Sequence, residues 1–277
     1  MTRLISVVVS TYNRPDALKA CLDSLLYQTD SNFEIIVADD GSTNDTASLV
    51  NSYINDKNIN TKIRHVYQPD QGFRLSRIRN LAIIDSQGEY LIFIDGDCIA
   101  LPEFVFRHRQ LATPQYFVAG NRVLINQHFT EEILKRNIRL YTKNFLYFLR
   151  LRLTNKINRL VSFIHLPLER LRYLQPYKWN KAVGCNTAFW KKDLLAVNGY
   201  DESFQGWGYE DSDLVIRLIH SGIKRKEGRF AVPVLHLWHK QNDRSHHDQN
   251  YSRLLKRLDN PTLIQAERGL DQYIEID

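Results

Sequence analysis

Two aspartates separated by one glycine, Asp95 and Asp97, follow an apolar run at residues 90–94. A run that is apolar on both faces is typical of a central strand covered by helices on each side. An ionised carboxylate is costly to bury without a partner, so the pair is expected at a strand end, where open α/β sheets bind ligands. Such oxygen ligands suit Mg²⁺ or Mn²⁺ carrying a phosphate. The alternative is an Asp-Gly turn that closes a β-hairpin.

Polar clusters follow two further apolar runs. Ser10, Tyr12 and Arg14 come after residues 4–9, and Asp40 comes after residues 33–38. Each cluster alone is explained by a capped turn. Three clusters at one sheet edge would instead supply carboxylates for a base, a ribose and a metal, with Arg14 available for phosphate.

Strands and helices are predicted to alternate through the first half of the chain. The apolar runs predict strands at 4–9, 33–38, 63–67 and 90–94, and helical spacing predicts helices at 15–28, 45–54 and 73–85. This alternation predicts an α/β fold with a mostly parallel, Rossmann-like sheet flanked by helices.

The composition of the 277 residues, 43% hydrophobic and 25% charged, is that of an ordinary globular protein. The cysteines Cys21, Cys98 and Cys185 form no CxxC pair, which suits a reducing cytoplasm. The N-terminal apolar run lacks a small-residue cleavage site and is interpreted as a strand, not a signal peptide. No apolar run approaches the ~20 residues needed to span a bilayer.

Positive charge is concentrated between residues 135 and 181, where twelve Lys or Arg accompany one acid. The net charge of that segment is +11, whereas the net charge of the whole chain is +6. The remaining residues therefore carry a net charge of −5. Aromatic and aliphatic residues lie between the cations, which is typical of an amphipathic segment on an anionic membrane surface. The alternative is a helical pair packed on the core. Nucleic acid is the least favoured partner, and we expect none.

Several stretches together resemble a known family. VVVSTYNRP, IIVADDGS, GFRLSRIRNLAI and YLIFIDGDC resemble the nucleotide-sugar-binding half of family 2 glycosyltransferases with the GT-A fold. GCNTAFWKKDLLAVNGYDESFQGWGYEDSDLVIRL, followed by HLWH, is similar to the C-terminal module of β-1,4-galactosyltransferases and bacterial chondroitin polymerases. The resemblance extends over about residues 4–239 and is weakest in the basic insert. It predicts one GT-A domain with a nucleotide-sugar-binding half (1–130), a basic helical insert (131–181), an acceptor-binding and catalytic half (182–240) and a C-terminal arm (241–277).

The resemblance implies a UDP-sugar donor held with Mn²⁺ or Mg²⁺. Asp97 is the implied metal ligand, with Asp95 at the ribose or in the metal shell. The residues implied to hold the nucleotide are Ser10, Tyr12 and Asp40 at the uridine and Arg14 at the phosphates. Arg74 and Arg77 are candidate phosphate partners, although a solvated helix face would also explain them.

The resemblance also implies the acceptor side of the site. Asp211 is the implied catalytic base, Glu210 binds an acceptor hydroxyl, and Trp207 offers a flat face to the acceptor sugar. Acids in a first helical turn are otherwise common as dipole partners. His239 is the implied metal-ligand histidine, and His236 is the alternative.

One base without a second nucleophile predicts a single displacement with inversion. The sequence therefore predicts a metal-dependent, inverting transfer of one galactose or N-acetylhexosamine residue to a glycan or lipid-linked oligosaccharide. Lipopolysaccharide, O-antigen or capsule assembly at the inner face of the cell membrane would be its setting. A nucleotidyltransferase acting on sugar phosphates is one alternative, but the loop STYNRP lacks glycine. A non-catalytic basic lipid-binding adaptor is another, but it leaves the GWGYED loop unexplained.

Overall fold

The computed structural model describes residues 3–182, 184–240 and 243–273. The strands are β1 (Ile5–Thr11), β2 (Phe33–Asp39), β3 (Lys62–Tyr67), β4 (Tyr90–Asp95), β5 (Cys98–Ala100), β6 (Tyr116–Ala119), β7 (Asn121–Leu124), β8 (Thr187–Trp190), β9 (Lys224–Glu227) and β10 (Pro233–His236). The helices are α1 (Pro15–Leu26), α2 (Asn44–Ile54), α3 (Leu75–Asp85), α4 (Phe104–Leu111), α5 (Gln127–Arg136), α6 (Phe145–Leu153), α7 (Lys191–Ala196), α8 (Glu210–His220) and α9 (His247–Asp259). The elements predicted in the first half are all present, with ends that differ by a few residues.

The main sheet has seven strands in the order β3-β2-β1-β4-β8-β6-β9. Only β8 runs against its neighbours, β4 and β6. The predicted mostly parallel α/β sheet is therefore confirmed. Its register places Ser10 opposite Asp95 and Thr11 opposite Asp39, so the polar ends of β1, β2 and β4 lie at one edge.

Helices cover both faces of this sheet. Val7 and Val9 of β1 face a core that includes Leu22 of α1, while Val8 faces a second core that includes Ile78 of α3. Burial on both faces explains why the strand sequences are apolar without alternation.

A second sheet has three strands in the order β5-β10-β7. After the turn at Gly96, β5 leaves the main sheet and pairs with β10, while β4 pairs with β1 and β8. The hairpin interpretation of the Asp-Gly turn is therefore wrong. The turn instead joins two sheets, which brings His236 at the end of β10, and His239 three residues later, to the end of β4.

The basic insert packs on the second sheet. Phe148 and Leu151 of α6 share a core with Val123 of β7 and Leu235 of β10. Within residues 131–181, the structure has the end of α5, the single helix α6 and four short 3₁₀ helices. The insert is thus less helical than its sequence suggested, and irregular chain makes up much of the remainder.

The C-terminal arm is tied to α8 by a buried arginine. Arg257 of α9 donates hydrogen bonds to Asp213 and Asp201, each at 2.9 Å, and all three side chains are buried. Paired burial of this kind fixes geometry, because neither carboxylate can lose its partner cheaply. In the part of the chain that the structure describes, no helix has the length and apolar character needed to cross a bilayer.

Candidate active site

The three polar strand ends are joined to one another. The Asn13 N–H donates to Ser42 Oγ at 2.9 Å, and the Gly96 N–H donates to the Ser10 carbonyl at 2.7 Å. Beside them lies a cleft of about 420 Å³. Its lining includes Ser10, Tyr12, Arg14, Asp40, Arg79, Asp95, Asp97, Arg122, Trp207, Glu210, Asp211, His236 and His239. Residues from both halves of the chain therefore meet in one cleft.

A group of possible metal ligands lies at the end of β4. Ligand atoms of Asp95, Asp97, Cys98 and His236 all lie within 4.8 Å of one another. His236 Nε2 is 3.5 Å from Asp97 Oδ1, and His239 Nε2 is 3.7 Å from Asp97 Oδ2. Both histidines thus reach the same carboxylate, and the choice between them stays a prediction.

The donor set fits a hard divalent cation. His239 Nδ1 donates to the Lys240 carbonyl at 2.7 Å, so Nε2 is the ring nitrogen that faces Asp97. The Cys98 thiol is a soft ligand that suits neither Mn²⁺ nor Mg²⁺, and burial raises its pKa well above the usual value. Two carboxylates and imidazole remain, a combination suited to Mn²⁺ or Mg²⁺.

The two halves of the site are bridged by Arg79 of α3. Its guanidinium donates to Asp211 at 2.8 Å and to Asp95 at 3.3 Å, and its Nε donates to Ser10 Oγ at 3.2 Å. The side chain is 1% exposed. A buried charge held by two carboxylates is a rigid link, so the position of Asp211 is fixed relative to the end of β4.

Glu210 and Asp211 begin α8 inside the cleft. Burial, together with the neighbouring Asp211, raises the pKa of Glu210 to about 7. Burial also raises the pKa of Asp211, although the positive charge of Arg79 opposes the shift. A carboxylate with a raised pKa is a stronger base once ionised, and such shifts are common among catalytic groups.

Trp207 lies in the irregular loop before α8 and is half-buried. Gly206, Gly208 and Tyr209 all have positive φ angles of 70°, 115° and 71°. The guanidinium of Arg244, from the C-terminal arm, lies 4.9 Å from the centroid of the Trp207 ring. The loop thus carries an aromatic side chain at the rim of the cleft that also contains Asp211.

The predicted nucleotide-binding residues divide into two groups. Tyr12 is 49% exposed at the cleft, and Arg14 donates to Asp97 Oδ2 at 2.9 Å. Asp40 is buried and accepts the Arg74 backbone N–H at 2.9 Å. The side chains of Arg74 and Arg77, by contrast, line an adjoining cavity. Their assignment to the donor phosphates stays a prediction.

A family model described as glycosyl transferase family 2 matches residues 6–174, more than half of the chain. The chain belongs to glycosyltransferase family 2. A second model, described as the N-terminal domain of galactosyltransferase, matches residues 165–240 and so includes Trp207, Asp211 and both histidines.

Curated relatives of this glycosyltransferase include longer enzymes. It is 28% identical to validoxylamine A glucosyltransferase of Streptomyces hygroscopicus subsp. jinggangensis, over 92% of this chain and 60% of that protein. It is 27% identical to chondroitin synthase of Escherichia coli, over 82% of this chain and 34% of that protein. The chain therefore spans three fifths or less of these relatives.

A solved structure confirms the fold of this glycosyltransferase. GalNAc-T7 with UDP, GalNAc and Mn²⁺ superposes with a TM-score of 0.64 at 16% identity, over 92% of this chain and 48% of that one. The predicted GT-A fold and family resemblance are both confirmed.

Arg79 and Arg122 of this glycosyltransferase line the cleft but were absent from the sequence-based site. Arg79 lies four residues before Ile83 on the buried face of α3, so helical periodicity could have indicated that it faces the sheet. Arg122 lies on β7 among short strands whose pairing partners are distant in sequence. No comparable sequence signal identifies it.

Proposed function

We propose that this glycosyltransferase moves one galactose or N-acetylhexosamine residue from a UDP-sugar to a hydroxyl of a glycan acceptor, with inversion and with Mn²⁺ or Mg²⁺. The observation that carries the proposal is the Arg79 bridge. Arg79 donates to Asp211, the candidate base, at 2.8 Å and to Asp95, a candidate cation ligand, at 3.3 Å, and so holds the two carboxylates near each other. A direct displacement requires the base and the leaving-group site to be held in a fixed position relative to each other.

On the donor side, Ser10, Tyr12 and Asp40 bind the uridine, and Arg14 is close enough to Asp97 to meet the diphosphate. Asp97 and Asp95, with His239 or His236, would hold the cation. When bound, the cation neutralises charge that develops on the departing diphosphate. Arg79 keeps Asp95 oriented within this group.

On the acceptor side, Asp211 accepts the proton of the attacking hydroxyl while Glu210 binds an acceptor hydroxyl. Trp207 excludes water and offers an apolar face to the acceptor ring. Of the two cleft carboxylates next to Asp211, Glu210 accepts the Gly208 N–H at 3.2 Å and Asp95 accepts from Arg79 at 3.3 Å, so we assign neither of them as a separate nucleophile. A single in-line displacement converts an α-linked donor into a β-linked product.

A donor screen tests the proposal. Purified protein with Mn²⁺ is incubated with UDP-galactose, UDP-N-acetylgalactosamine, UDP-glucose and UDP-N-acetylglucosamine, and released UDP is measured without acceptor. We expect slow release from one of the first two. Release from neither galactose-type donor would overturn the sugar assignment, and release from none of the four would overturn the donor class.

We further propose that the basic insert rests on an anionic membrane that carries a lipid-linked acceptor, in lipopolysaccharide, O-antigen or capsule assembly. One side of the insert packs on the core, but Leu146, Leu153 and Leu174 are 70%, 75% and 71% exposed. Exposed apolar side chains that lie among basic residues are typical of a protein surface that inserts shallowly between anionic lipid headgroups. The buried free cysteines suit the cytoplasmic face.

Flotation with anionic vesicles tests this surface. A variant with Lys143, Arg150, Arg152 and Arg159 changed to Gln is expected to lose about a hundredfold or more in membrane partitioning, since each basic residue near the surface contributes about 1 kcal/mol. The matched control changes four exposed lysines elsewhere to Gln, namely Lys57, Lys62, Lys192 and Lys256. Equal flotation of the two variants would exclude the insert as the membrane surface.

A further inference from the structure

A second cavity, the arm cavity, adjoins the cleft. It has a volume of about 920 Å³ and lies between the start of α3, the loop before α8 and the C-terminal arm. Tyr12, Phe73 and Trp207 line both spaces. The Gly206 N–H donates to the Phe73 carbonyl at 3.2 Å. This hydrogen bond joins the loop before α8 to the loop before α3, and the two loops separate the arm cavity from the cleft. This volume is large enough for sugar residues beyond the one that reacts.

Three arginines in the lining of the arm cavity form no salt bridge with a carboxylate of the described residues. Arg77 donates to the side-chain oxygen of Gln68 at 2.7 Å and lies over the ring of Tyr273. Arg74 donates to the Pro69 carbonyl, and Arg268 is exposed at the rim. Guanidinium groups held by neutral partners keep their charge available to an anion.

The acids of the lining are already hydrogen-bonded within the protein. Glu202 accepts from the Tyr273 hydroxyl at 2.9 and 2.8 Å and from the Asn80 amide at 2.9 Å. Asp243 accepts from the Ser245 hydroxyl at 2.7 Å. These contacts engage both carboxylates, so the arginines are the groups left to meet an incoming ligand.

Two buried polar atoms at the arm cavity also lack a partner. Ser76 is 2% exposed, and its Oγ has no hydrogen bond to any described residue. The Nε of Arg74 is likewise buried without one. Both atoms can donate a hydrogen bond, so an oxygen acceptor on a ligand in this cavity would satisfy them.

We propose that the arm cavity binds an anionic residue of the acceptor glycan, a uronate or a sugar phosphate, next to the residue whose hydroxyl is glycosylated. The inference rests on the proposed function. Trp207 lines both spaces, so a glycan with its reacting residue near Asp211 passes this ring into the arm cavity. Asp97, which the donor diphosphate must approach, lines the cleft and not the arm cavity. The charge of the arm cavity is therefore assigned to the acceptor.

Calorimetric titration of the full chain in the presence of UDP and Mn²⁺ tests the inference. The probes are a disaccharide of glucuronic acid and N-acetylhexosamine, its analogue with the carboxylate reduced to an alcohol, and the reduced analogue carrying a 6-phosphate. We expect at least one charged probe to bind about tenfold more tightly than the neutral one, because charge-assisted hydrogen bonds are roughly twice as strong as neutral ones. The better charged probe distinguishes carboxylate from phosphate.

Arg268→Gln is expected to remove this preference while UDP affinity stays within about twofold of the parent, and Arg77→Gln is expected to remove the preference as well. Lys256→Gln, an exposed change of equal charge on the same arm, is expected to keep it. Equal or undetectable binding of charged and neutral probes by a protein that binds UDP normally would overturn only this inference. Weaker UDP binding in both arginine variants would overturn it too, by assigning the arm cavity to the nucleotide. Failure of the parent to bind UDP with Mn²⁺ would reject the proposed function and the inference together.

Discussion

Asp211→Asn is expected to lower the rate of sugar transfer by about 10²- to 10⁴-fold, the range that general-base catalysis provides. Asparagine keeps the size of the side chain and can still accept the hydrogen bond that Arg79 donates at 2.8 Å. It cannot take up the proton of the acceptor hydroxyl. Transfer is measured as product formed with saturating donor, and UDP affinity is measured in parallel. Full transfer activity in this variant would exclude Asp211 as the base.

The pH dependence separates a base from a residue that only maintains structure. A base works when deprotonated, so the rate rises with pH through its pKa. Because the pKa of Asp211 is raised, and that of its neighbour Glu210 is raised to about 7, the acidic limb of kcat/KM should lie above the ordinary carboxyl range near pH 4. The residual activity of Asp211→Asn should lack the part of this limb that Asp211 contributes. A melting temperature close to that of the parent serves as the control for folding.

Removal of the cation is the second large expected effect. EDTA treatment or Asp97→Ala is expected to lower transfer by about a thousandfold or more, because a bound cation supplies several kcal/mol of charge stabilisation. Asp97 contacts both histidines and Arg14, so its loss removes the centre of the ligand group. The measurements are product formation and Mn²⁺-dependent binding of UDP.

Asp45→Ala, an exposed acid on α2, is the matched control and should behave like the parent. Re-addition of Mn²⁺ should restore the EDTA-treated parent but not Asp97→Ala. Undiminished transfer by metal-free protein would reject the cation site altogether.

The first half of the fold could be predicted because its strands are buried on both faces and its helices have clear periodicity. The runs before Ser10, Asp40 and Asp95 each ended a strand of the main sheet, as expected. The second sheet could not be predicted in this way. Its strands have three or four residues, and β5 pairs with β10 about 130 residues later, so neither length nor local pattern identifies them.

For the site, sequence reasoning identified residues whose chemistry is visible in a motif. Asp97, His236 and His239 meet in the structure because β5 leads from the end of β4 into the sheet of β10. The bridge through Arg79 was missed because a charged residue on a helix is usually solvated; helical periodicity places Arg79 on the buried face of α3, but only tertiary packing shows which carboxylates it meets. The C-terminal arm also lines the cavity beside Trp207. This contact joins segments that are distant in the sequence, so no local sequence pattern predicts it.

The Arg79 guanidinium lies between the two places where charge changes in the proposed reaction, the base Asp211 and the diphosphate site beside Asp95. In the reaction that we propose, Asp211 takes up a proton and loses its negative charge, so the positive charge of Arg79 is less neutralised there and stabilises Asp95 and the departing diphosphate more strongly. On this proposal, deprotonation of the acceptor and stabilisation of the leaving group reinforce each other through a single side chain. We therefore expect the pH dependence of transfer and the affinity for the nucleotide to be linked, because protonation of Asp211 changes the electrostatic potential at the donor site.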